Sequence, residues 1–438
     1  MPQPPLLEAE RSAGAASAEP AGDSSAASEP AARAPVSAWA PFQTPIYRAF
    51  WIASLVSNLG TWIHEIGAGW LMTELNASPQ MVTAVRTSMS LPVVLFALPS
   101  GVIADRFDRR RLMMMNQLMM LAVAASLAAC TFSGLMTPWL LLGLTLVMGL
   151  GLVVHAPTWQ ASIPELVPRP LLPQAVALGS ISFNLARAAG PAVGGLVIGS
   201  FGIWAAFAVN ACSFAGVLVV LWFWRREQTE SSGGRSFGQA LGDGVRFVFQ
   251  TVDMRHALLR VALFVFPASA MWSLLPLVAR EQLRWNARGY GFLVCGLGAG
   301  AVLAAVVIQR LRRHCSSDRL VLLATGGFAL ALIGVAFSTS RVLTLALMLP
   351  LGGAWMLILT TLNSTAQLTL PRPMRARGMA CYLMSLGGAM GSGAMTWGSV
   401  AEGTSPETAI AIAAVSMPIL ALVGLPFSLG TSLTDHDR

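Results

Sequence analysis

The sequence predicts an all-α integral membrane protein with twelve transmembrane helices in two six-helix bundles, and three observations lead to this fold class. Apolar residues make up 55% of the 438 residues and charged residues only 11%, with a mean hydropathy of +0.64. The apolar residues form blocks of about 20, the length at which a helix crosses the hydrocarbon core of a bilayer. Backbone groups in lipid must be bonded within their own segment, and the period of two that membrane barrels require is absent. The blocks are therefore expected to be helices.

Twelve apolar blocks follow one another between two polar ends. Residues 1–44 are rich in Ala, Pro, Ser and Glu, and are expected to form a disordered cytoplasmic tail without the features of a secretory signal. The predicted spans are 47–72, 79–104, 111–133, 137–161, 174–199, 203–224, 257–279, 289–311, 319–338, 342–364, 376–398 and 408–430. The predicted domains are an N-terminal bundle over 45–225, a linker over 226–256, a C-terminal bundle over 257–430 and a cytoplasmic tail over 431–438.

The arginines predict the orientation of the chain, which contains no lysine. If the N-terminus lies in the cytoplasm, the loops after spans 2, 4, 6, 8 and 10 carry seventeen arginines, and the opposite loops carry four. The positive-inside rule therefore predicts that both termini are cytoplasmic. Because the net charge of +8 is placed in these loops, it indicates topology rather than binding of nucleic acid.

The longest internal loop, about 225–255, separates the spans six and six. In its second part Phe237, Leu241, Val245, Val248 and Val252 recur at helical spacing. This pattern predicts a short amphipathic helix at the cytoplasmic membrane surface.

The two halves carry a similar short motif, a glutamine followed by Pro-Arg-Pro, at equivalent places. Gln160 precedes a Pro-Arg-Pro sequence at 168–170 near the end of span 4, and Gln367 precedes another at 371–373 near the end of span 10. The equal placement favours a parallel duplication of one six-helix unit.

The segment between spans 2 and 3 reads Gly-Val-Ile-Ala-Asp-Arg-Phe-Asp-Arg-Arg-Arg-Leu over residues 101–112. It resembles the signature loop of the major facilitator superfamily, Gly-x-Leu-Ala-Asp-Arg-x-Gly-Arg-Lys, with Asp108 in place of the second glycine. The resemblance implies two bundles that rock around a midplane cavity, and a cluster that latches them in the outward-open state. The residues that match the latch are Gly101, Asp105, Arg106, Arg109 and Arg110. A purely topological anchor of arginines is the alternative.

Span 5 contains Gly-Pro-Ala-Val-Gly-Gly over residues 190–195, which resembles the Gly-Pro-x-x-Gly-Gly motif of the superfamily's antiporter branch. Glycines four residues apart permit close helix packing, and the proline removes a backbone donor and permits a bend. The resemblance implies that Gly190, Pro191, Gly194 and Gly195 limit leakage. Ordinary helix packing is the alternative.

Two further stretches resemble a narrower branch, the transmembrane secretion effectors, which includes the enterobactin exporter. They are residues 58–71 in span 1, with Asn-Leu-Gly-Thr-Trp and Gly-Trp-Leu, and residues 157–168, with Pro-Thr-Trp-Gln and Ile-Pro-Glu-Leu-Val-Pro. The resemblance covers about 45–430, is strongest in the first half, and alone implies export. One departure is that span 4 lacks the arginine of many drug/proton antiporters and offers His155 instead.

Ionisable residues inside the spans need a reason, because a charge at mid-bilayer costs about 2.5–3.5 kcal/mol. Glu65 in span 1 and Arg86 in span 2 lie at depths that agree within about one helical turn, which predicts an ion pair. Glu65 is the candidate proton carrier, and Arg86, His64 and His155 are the other candidates for proton coupling; a static ion pair is the alternative. His64 points about 100° away from Glu65 around the helix and is expected to make a structural hydrogen bond.

Polar and aromatic residues of spans 4, 5 and 10 are predicted to line the central cavity. Arg187 lies near the middle of span 5, and an arginine that faces a cavity favours an anionic or acidic-oxygen substrate. An internal partner for Arg187, such as Asn184 one turn earlier, is the alternative. The other cavity candidates are Trp159, Gln160, Asn363 and Gln367.

No catalytic or cofactor-binding pattern emerges. A nucleotide-binding P-loop needs a lysine, which the chain lacks. The five cysteines are scattered without a Cys-x-x-Cys pair, which predicts neither a disulfide framework nor a metal site. We therefore expect no cofactor and no enzymatic activity.

Together these patterns predict a secondary active transporter that works by alternating access. It is expected to couple proton entry to efflux of a small organic molecule, such as a siderophore, a drug or an acidic metabolite. Its expected partners are that molecule, protons and the bilayer of a bacterial inner membrane; no nucleic acid is expected, and the chain is expected to be a monomer. An uncoupled facilitator, an uptake carrier and, with less support from the residues, a membrane-embedded enzyme or lipid-handling scaffold are the alternatives.

Overall fold

Long helices joined by short turns make up nearly all of the described chain. The computed structural model describes residues 37–106, 108–224, 246, 250–371 and 374–427, with the backbone alone at 101, 102, 104–106, 309 and 376. This part contains no strand and twelve long helices: α1 Pro45–Glu74, α2 Pro79–Arg106, α3 Arg109–Phe132, α4 Pro138–Leu166, α5 Leu172–Phe201, α6 Ile203–Phe223, α7 Val252–Leu277, α8 Ala287–His314, α9 Ser317–Phe337, α10 Arg341–Thr369, α11 Arg375–Gly403 and α12 Pro406–Gly424. The predicted all-α membrane fold is confirmed.

Ten of the helices in the described ranges are long and apolar enough to cross a membrane, and α1 and α11 are the two long helices outside that group. α1 carries His64 and Glu65, and α11 is rich in glycine and serine. Both are enclosed by other helices, α1 by α5 and α6, and α11 by α2 and α7. A more polar composition is tolerated there because protein, rather than lipid, contacts much of each helix.

Polar side chains mark several helix starts. Asp108 accepts a hydrogen bond from the backbone N of Arg111 (2.8 Å) at the start of α3, and Asn286 accepts one from the N of Gly289 (3.2 Å) at the start of α8. Each cap satisfies one of the backbone donors that a first turn leaves free. The turn between α1 and α2 passes through Asn76 at φ +51°, a left-handed conformation in which asparagine is enriched.

Helix packing repeats with a shift of six helices. α1 packs on α5 and α6, α2 on α4, and α3 on α4 and α6; α7 packs on α11 and α12, α8 on α10, and α9 on α10 and α12. The two halves, α1–α6 and α7–α12, meet along α2 with α11 and along α5 with α8. We call these two contacts the seam. A shift of six helices converts each of these two contacts into the other, which is the arrangement that a parallel duplication produces.

The seam is closed at one face of the molecule, the face that carries the α1–α2 turn. There Arg288 donates to the carbonyl oxygen of Gly199 (2.7 Å) and Arg280 donates to the Oδ1 of Asn76 (2.9 Å). Of the hydrogen bonds that join the halves between described residues, none lies nearer the opposite, α2–α3 face than the contacts of Arg187. The described conformation is therefore closed at the α1–α2 face.

The predicted linker can be compared with the structure only at its end. The amphipathic helix predicted over 237–252 lies outside the described residues, apart from Arg246, Gln250 and the last two positions. Val252, which was predicted to belong to that helix, is the first residue of α7, so span 7 begins five residues earlier than 257. The apolar spacing of the linker continues into the span, which is why the sequence placed this boundary too late.

The crossing of α8 and α10 generates a prediction about stability. A Cβ at Gly352 would overlap the carbonyl oxygen of Leu297, because the two backbones touch there. Gly352→Ala is expected to destabilise the protein by about 1–3 kcal/mol through overpacking, measured as a lower Tm in detergent. Gly326→Ala is the matched control on α9, where a Cβ would meet nothing within 4 Å. Equal Tm values for the two variants would contradict the close crossing.

Candidate functional site

An ion pair between α1 and α2 lies at the centre of the candidate site. The Nη1 of Arg86 is 2.5 Å from the Oε1 of Glu65, and the two side chains are only 20% and 19% exposed. The predicted pairing of these residues is confirmed. The sequence could predict this ion pair from the equal depth of Glu65 and Arg86, because the rise per residue is fixed and the two helices are antiparallel neighbours.

The ion pair of the first half touches an aromatic wall of the second half. The guanidinium carbon of Arg86 lies 5.6 Å from the ring centroid of Trp272 in α7, within the range of a cation–π contact. Trp272 in turn meets Trp355 edge to face at 5.5 Å, and Trp355 packs on Phe264 at 5.6 Å. The charge of Arg86 is therefore shared between a carboxylate in its own half and a π face in the other.

A second aromatic contact closes the molecule above the ion pair, on the side of the α1–α2 face. Trp70 of α1 stacks on Tyr290 of α8 with 6.0 Å between ring centroids. The Nε1 of Trp70 donates to the Oε1 of Glu74 (2.6 Å), which fixes the indole. Since Trp70 and Tyr290 are 4% exposed, this stack separates Glu65 from the closed face.

His64 does not join the ion pair. Its ring is fully buried and meets Phe207 of α6 edge to face at 5.0 Å. Within the described part of the chain neither ring nitrogen has a hydrogen-bond partner, so the expected structural hydrogen bond of His64 is wrong. The residue points between α1 and α6, roughly a quarter turn from Glu65, where an apolar ring is the neighbour.

His155 is held inside the first half. Its Nδ1 lies 3.1 Å from the Nε2 of Gln117 in α3, and its ring lies 5.5 Å from that of Trp159. Trp159 itself packs on Phe50 at 5.2 Å. Among described residues no contact joins His155 to Glu65 or Arg187, so the structure does not bring the predicted coupling residues into one cluster.

Arg187 lies at the middle of α5 and reaches across to the other half. Its Nη2 donates to the Oδ1 of Asn184 (3.0 Å) and lies 3.6 Å from the Sδ of Met356 in α10. Asn184, the internal partner that the sequence offered for Arg187 as the alternative to a substrate, does accept this bond. Asn184 also donates to the carbonyl oxygen of Ser180 (2.8 Å), so these polar residues follow one face of α5.

The remaining cavity candidates lie closer to the α2–α3 face. On α10, the Nε2 of Gln367 donates to the Oδ1 of Asn363 (2.6 Å). Gln160 on α4 is exposed, whereas its neighbour Trp159 is half-buried against the core of the first half. The structure therefore separates the candidates into a central group around Arg187 and carboxamides nearer the α2–α3 face.

Two arginines of the predicted latch, Arg109 and Arg110, bind within the first half. Arg109 donates to the Oε1 of Glu165 (2.8 Å), at the end of α4. Arg110 donates to the carbonyl oxygens of Leu221 and Trp222 (both 2.9 Å), at the end of α6. In this conformation both arginines fix the start of α3 to neighbouring helix ends.

The other residues of that loop can be followed only in part. Asp108, which stands where the superfamily pattern has glycine, caps α3. Gly101, Asp105 and Arg106 belong to the backbone of α2, and their side chains lie outside the described part of the chain. Their gating role stays a prediction.

The glycines of the α5 motif lie against two neighbouring helices, α1 and α8. A Cβ at Gly190 or Gly194 would meet α1, at 2.5 Å from the Cβ of Trp62 and 3.1 Å from the Cα of Ile63. A Cβ at Gly195 would instead lie 3.0 Å from the Cα of Gly291 in α8. Gly195 thus lets the two halves approach at the seam, which ordinary packing within one half would not require.

The sequence profile of the family described as transmembrane secretion effectors matches residues 36–436. The chain belongs to this family. It is a branch of the major facilitator superfamily, so the protein is a multi-pass transmembrane transporter of small molecules and not an enzyme.

Several curated relatives resemble this secretion effector over most of its length. YfiS of Bacillus subtilis strain 168, an uncharacterized MFS-type transporter, is 26% identical over 87% of this chain and 92% of its own. The staphyloferrin A transporter of Staphylococcus aureus is 23% identical, over 66% and 73%. The multidrug efflux pump Tap of Mycolicibacterium fortuitum is 24% identical, over 74% and 81%.

Solved transporter structures share the fold of this secretion effector. The crystal structure of the POT family transporter PepTSo superposes with a TM-score of 0.70 at 13% identity, over 90% of this chain and 99% of PepTSo. At this identity the likeness concerns the fold alone.

The structure also contains a buried ion pair that sequence reasoning missed. Arg260 of α7, 7% exposed, pairs with Asp318 at the start of α9 and donates to the carbonyl oxygen of Gly424 (3.1 Å) at the end of α12. An arginine inside a span, with an acidic residue at the start of a later span on the same face, was the available signal. This ion pair ties α7 to the start of α9 and the end of α12.

Removal of one partner is expected to lower the free energy of unfolding, because breaking a buried ion pair costs about 3–5 kcal/mol. The loss should be smaller here, since Asp318 is partly exposed. Arg260→Met should lower the Tm of the secretion effector in detergent, and Arg260→Met combined with Asp318→Asn should recover part of the loss. The exposed Arg319 provides the control, and Arg319→Met should change Tm little. If Arg260→Met and Arg319→Met behaved alike, the ion pair would have no structural role.

Proposed function

We propose that this secretion effector exports a small organic molecule across a bacterial inner membrane by alternating access, in exchange for protons that bind at Glu65. The observation that carries the proposal is the Glu65–Arg86 ion pair, which lies within the bilayer and directly against the second half. A carboxylate in that position can take up a proton, and the surroundings of its partner Arg86 change when the halves close.

The coupling follows from what surrounds the ion pair in each state. When the α1–α2 face closes, Trp272 and Tyr290 replace water around Arg86 and Glu65, which lowers the local dielectric and strengthens their attraction. A proton on Glu65 then leaves towards the α2–α3 face. When the α1–α2 face opens, water returns, the ion pair weakens, and Glu65 can take up a proton from that side.

Proton entry and substrate exit then alternate. The described conformation, with Glu65 paired and the α1–α2 face closed, corresponds to the state that has released its proton and accepts substrate at the α2–α3 face. Substrate binding moves the halves, release occurs at the α1–α2 face, and the protonated carrier returns. Each step requires two rigid bundles and one titrating group.

The direction of transport and the orientation of the chain in the membrane rest on separate observations. The arginine bias supports a cytoplasmic position for the α2–α3 face and both termini, and with that orientation acceptance of substrate at this face is export. The relative Tap is named an efflux pump, and the staphyloferrin A transporter is named for an organic compound. An uptake carrier would run the same cycle backwards, and no contact among the described residues favours that direction.

Neutralising the carboxylate tests the coupling. In proteoliposomes, using a substrate found by an efflux screen of the wild type, Glu65→Gln is expected to retain exchange but to lose accumulation driven by a pH gradient. Loss of the titrating group leaves nothing to link the two fluxes. Asp253→Asn is the control, because Asp253 is an exposed carboxylate in the first turn of α7, outside the site; accumulation by Glu65→Gln at the wild-type level would remove Glu65 from the mechanism.

Breaking the closed face tests alternating access. Arg288 joins α8 to the end of α5 across the seam, through a charge-assisted bond of the kind worth about 1.5–3 kcal/mol. Arg288→Ala should raise the population that is open at the α1–α2 face. The measurement is labelling of Thr83→Cys by a membrane-impermeant maleimide from that side, in a background without the five native cysteines; Thr83 is fully buried at the seam.

The rate of labelling should rise at least several-fold. Arg341→Ala is the matched control, because Arg341 lies at the same face but donates to the carbonyl oxygens of Leu283 and Arg284, within one half. A rise of equal size in both variants would indicate general loosening rather than opening of the seam.

A further inference from the structure

Arg187 carries a charge at the middle of the bilayer that no carboxylate among the described residues neutralises. The other arginines described well inside the spans have acidic partners, Arg86 with Glu65 and Arg260 with Asp318. Within the described part of the chain, the partners of Arg187 are the neutral groups of Asn184 and Met356. An unneutralised charge at this depth is unfavourable, so its presence calls for a ligand.

The guanidinium of Arg187 has unused donors. Of the five N–H groups of an arginine, those of Nη2 face Asn184 and Met356. The Nε and Nη1 groups have no acceptor among the described residues. A planar fork with free N–H groups matches the two oxygens of a carboxylate, or the oxygens of a phosphate or sulfonate.

Arg187 faces the space between the halves rather than lipid. Its contact with Met356 spans from α5 to α10, on opposite sides of the molecule's pseudo-symmetry. The residues one and two turns earlier, Asn184 and Ser180, are exposed on the same face of α5. A polar stripe of this kind would be costly against lipid tails, and Ala188, next in the chain, packs against Gly298 of the other half.

The route from the α2–α3 face to Arg187 suits an anion. Asn363 and Gln367 lie two to three turns nearer that face on α10, and carboxamides can accompany a charged group without competing for it. Glu65 is already neutralised by Arg86, so among the described residues no carboxylate remains at the midplane to receive a cation. The formal charge of the central groups Glu65, Arg86 and Arg187 is therefore positive.

We infer that Arg187 is the anchor for an acidic oxygen group of the exported molecule, so that the substrate is an organic anion. This inference rests on the proposed export function. The fork of Arg187 binds the acidic group, Asn184 holds the guanidinium in place, and Met356 adapts to the organic part. Outward movement of an anion is also favoured by a membrane potential that is negative inside.

The charge preference of the cavity can be measured without knowing the substrate. Met356→Cys, in a background with the five native cysteines replaced, places a thiol beside the guanidinium. In detergent micelles, its reaction rates with an anionic reagent (sulfonatoethyl methanethiosulfonate) and a cationic reagent (trimethylammonioethyl methanethiosulfonate) are compared. Because the measurement needs no turnover, it can succeed or fail independently of proton-coupled export.

The ratio of anionic to cationic rates is expected to fall about tenfold or more in Arg187→Gln, since one full charge at short range changes in a low-dielectric site. Arg187→Lys should keep most of the ratio. Asn363→Cys is a second reporter in case Met356→Cys does not fold. An unchanged ratio in Arg187→Gln at both reporters would overturn the inference.

A second arm tests binding of the acidic group itself. Salicylate should slow the reaction of Met356→Cys with the neutral reagent methyl methanethiosulfonate, whereas salicylamide, which has the same shape without the charge, should not. Protection should be lost in Arg187→Gln and weakened in Arg187→Lys, because lysine keeps the charge but not the fork. Protection by neither compound, or equal protection by both, would count against Arg187 as the anchor.

Discussion

The ion pair between Glu65 and Arg86 is the interaction on which the two halves of this transporter depend. Lipid makes each charge unfavourable by itself, so the carboxylate and the guanidinium keep each other within the first bundle. Trp272 covers Arg86 from the second bundle, and the Trp70–Tyr290 stack closes the path above it. The ion pair therefore neutralises charge within one bundle and touches the other bundle. A purely structural ion pair would not need to touch the second bundle.

The two bundles share a packing pattern but divide the chemistry. In the described part of the chain, the first bundle supplies Glu65, Arg86 and Arg187, whereas the second bundle faces them with aromatic rings and neutral polar groups. The seam that joins them is made of small residues, such as Gly195 against Gly291, which let backbones approach and slide as rigid units. This division lets charge change on one side of the cavity while the opposite wall keeps its shape.

Much of the fold followed from the sequence because lipid allows few solutions. Apolar blocks of bilayer length had to be helices, and the depth of Glu65 and Arg86 followed from a fixed rise per residue. What depends on helix rotation and on contacts between distant segments could not be read in this way. No pattern in the sequence predicts Trp272 over Arg86 or Phe207 beside His64. For Arg260 and Asp318 the sequence offers two charges near one face, but not the rotation that brings them together. The start of α7 was misplaced because the apolar spacing of the linker continues into the span.

The most direct test of proton coupling at Glu65 is the distance between the halves as a function of pH. Spin labels at Leu135 and Thr404, exposed turn residues of opposite halves at the α1–α2 face, report that distance by double electron–electron resonance in a cysteine-free background. Lower pH should shift the wild type to longer distances, because protonation of Glu65 leaves Arg86 unpaired under Trp272 and favours opening. Glu65→Gln should show the longer distances at every pH. The same pH-dependent shift in Glu65→Gln as in the wild type would contradict the coupling.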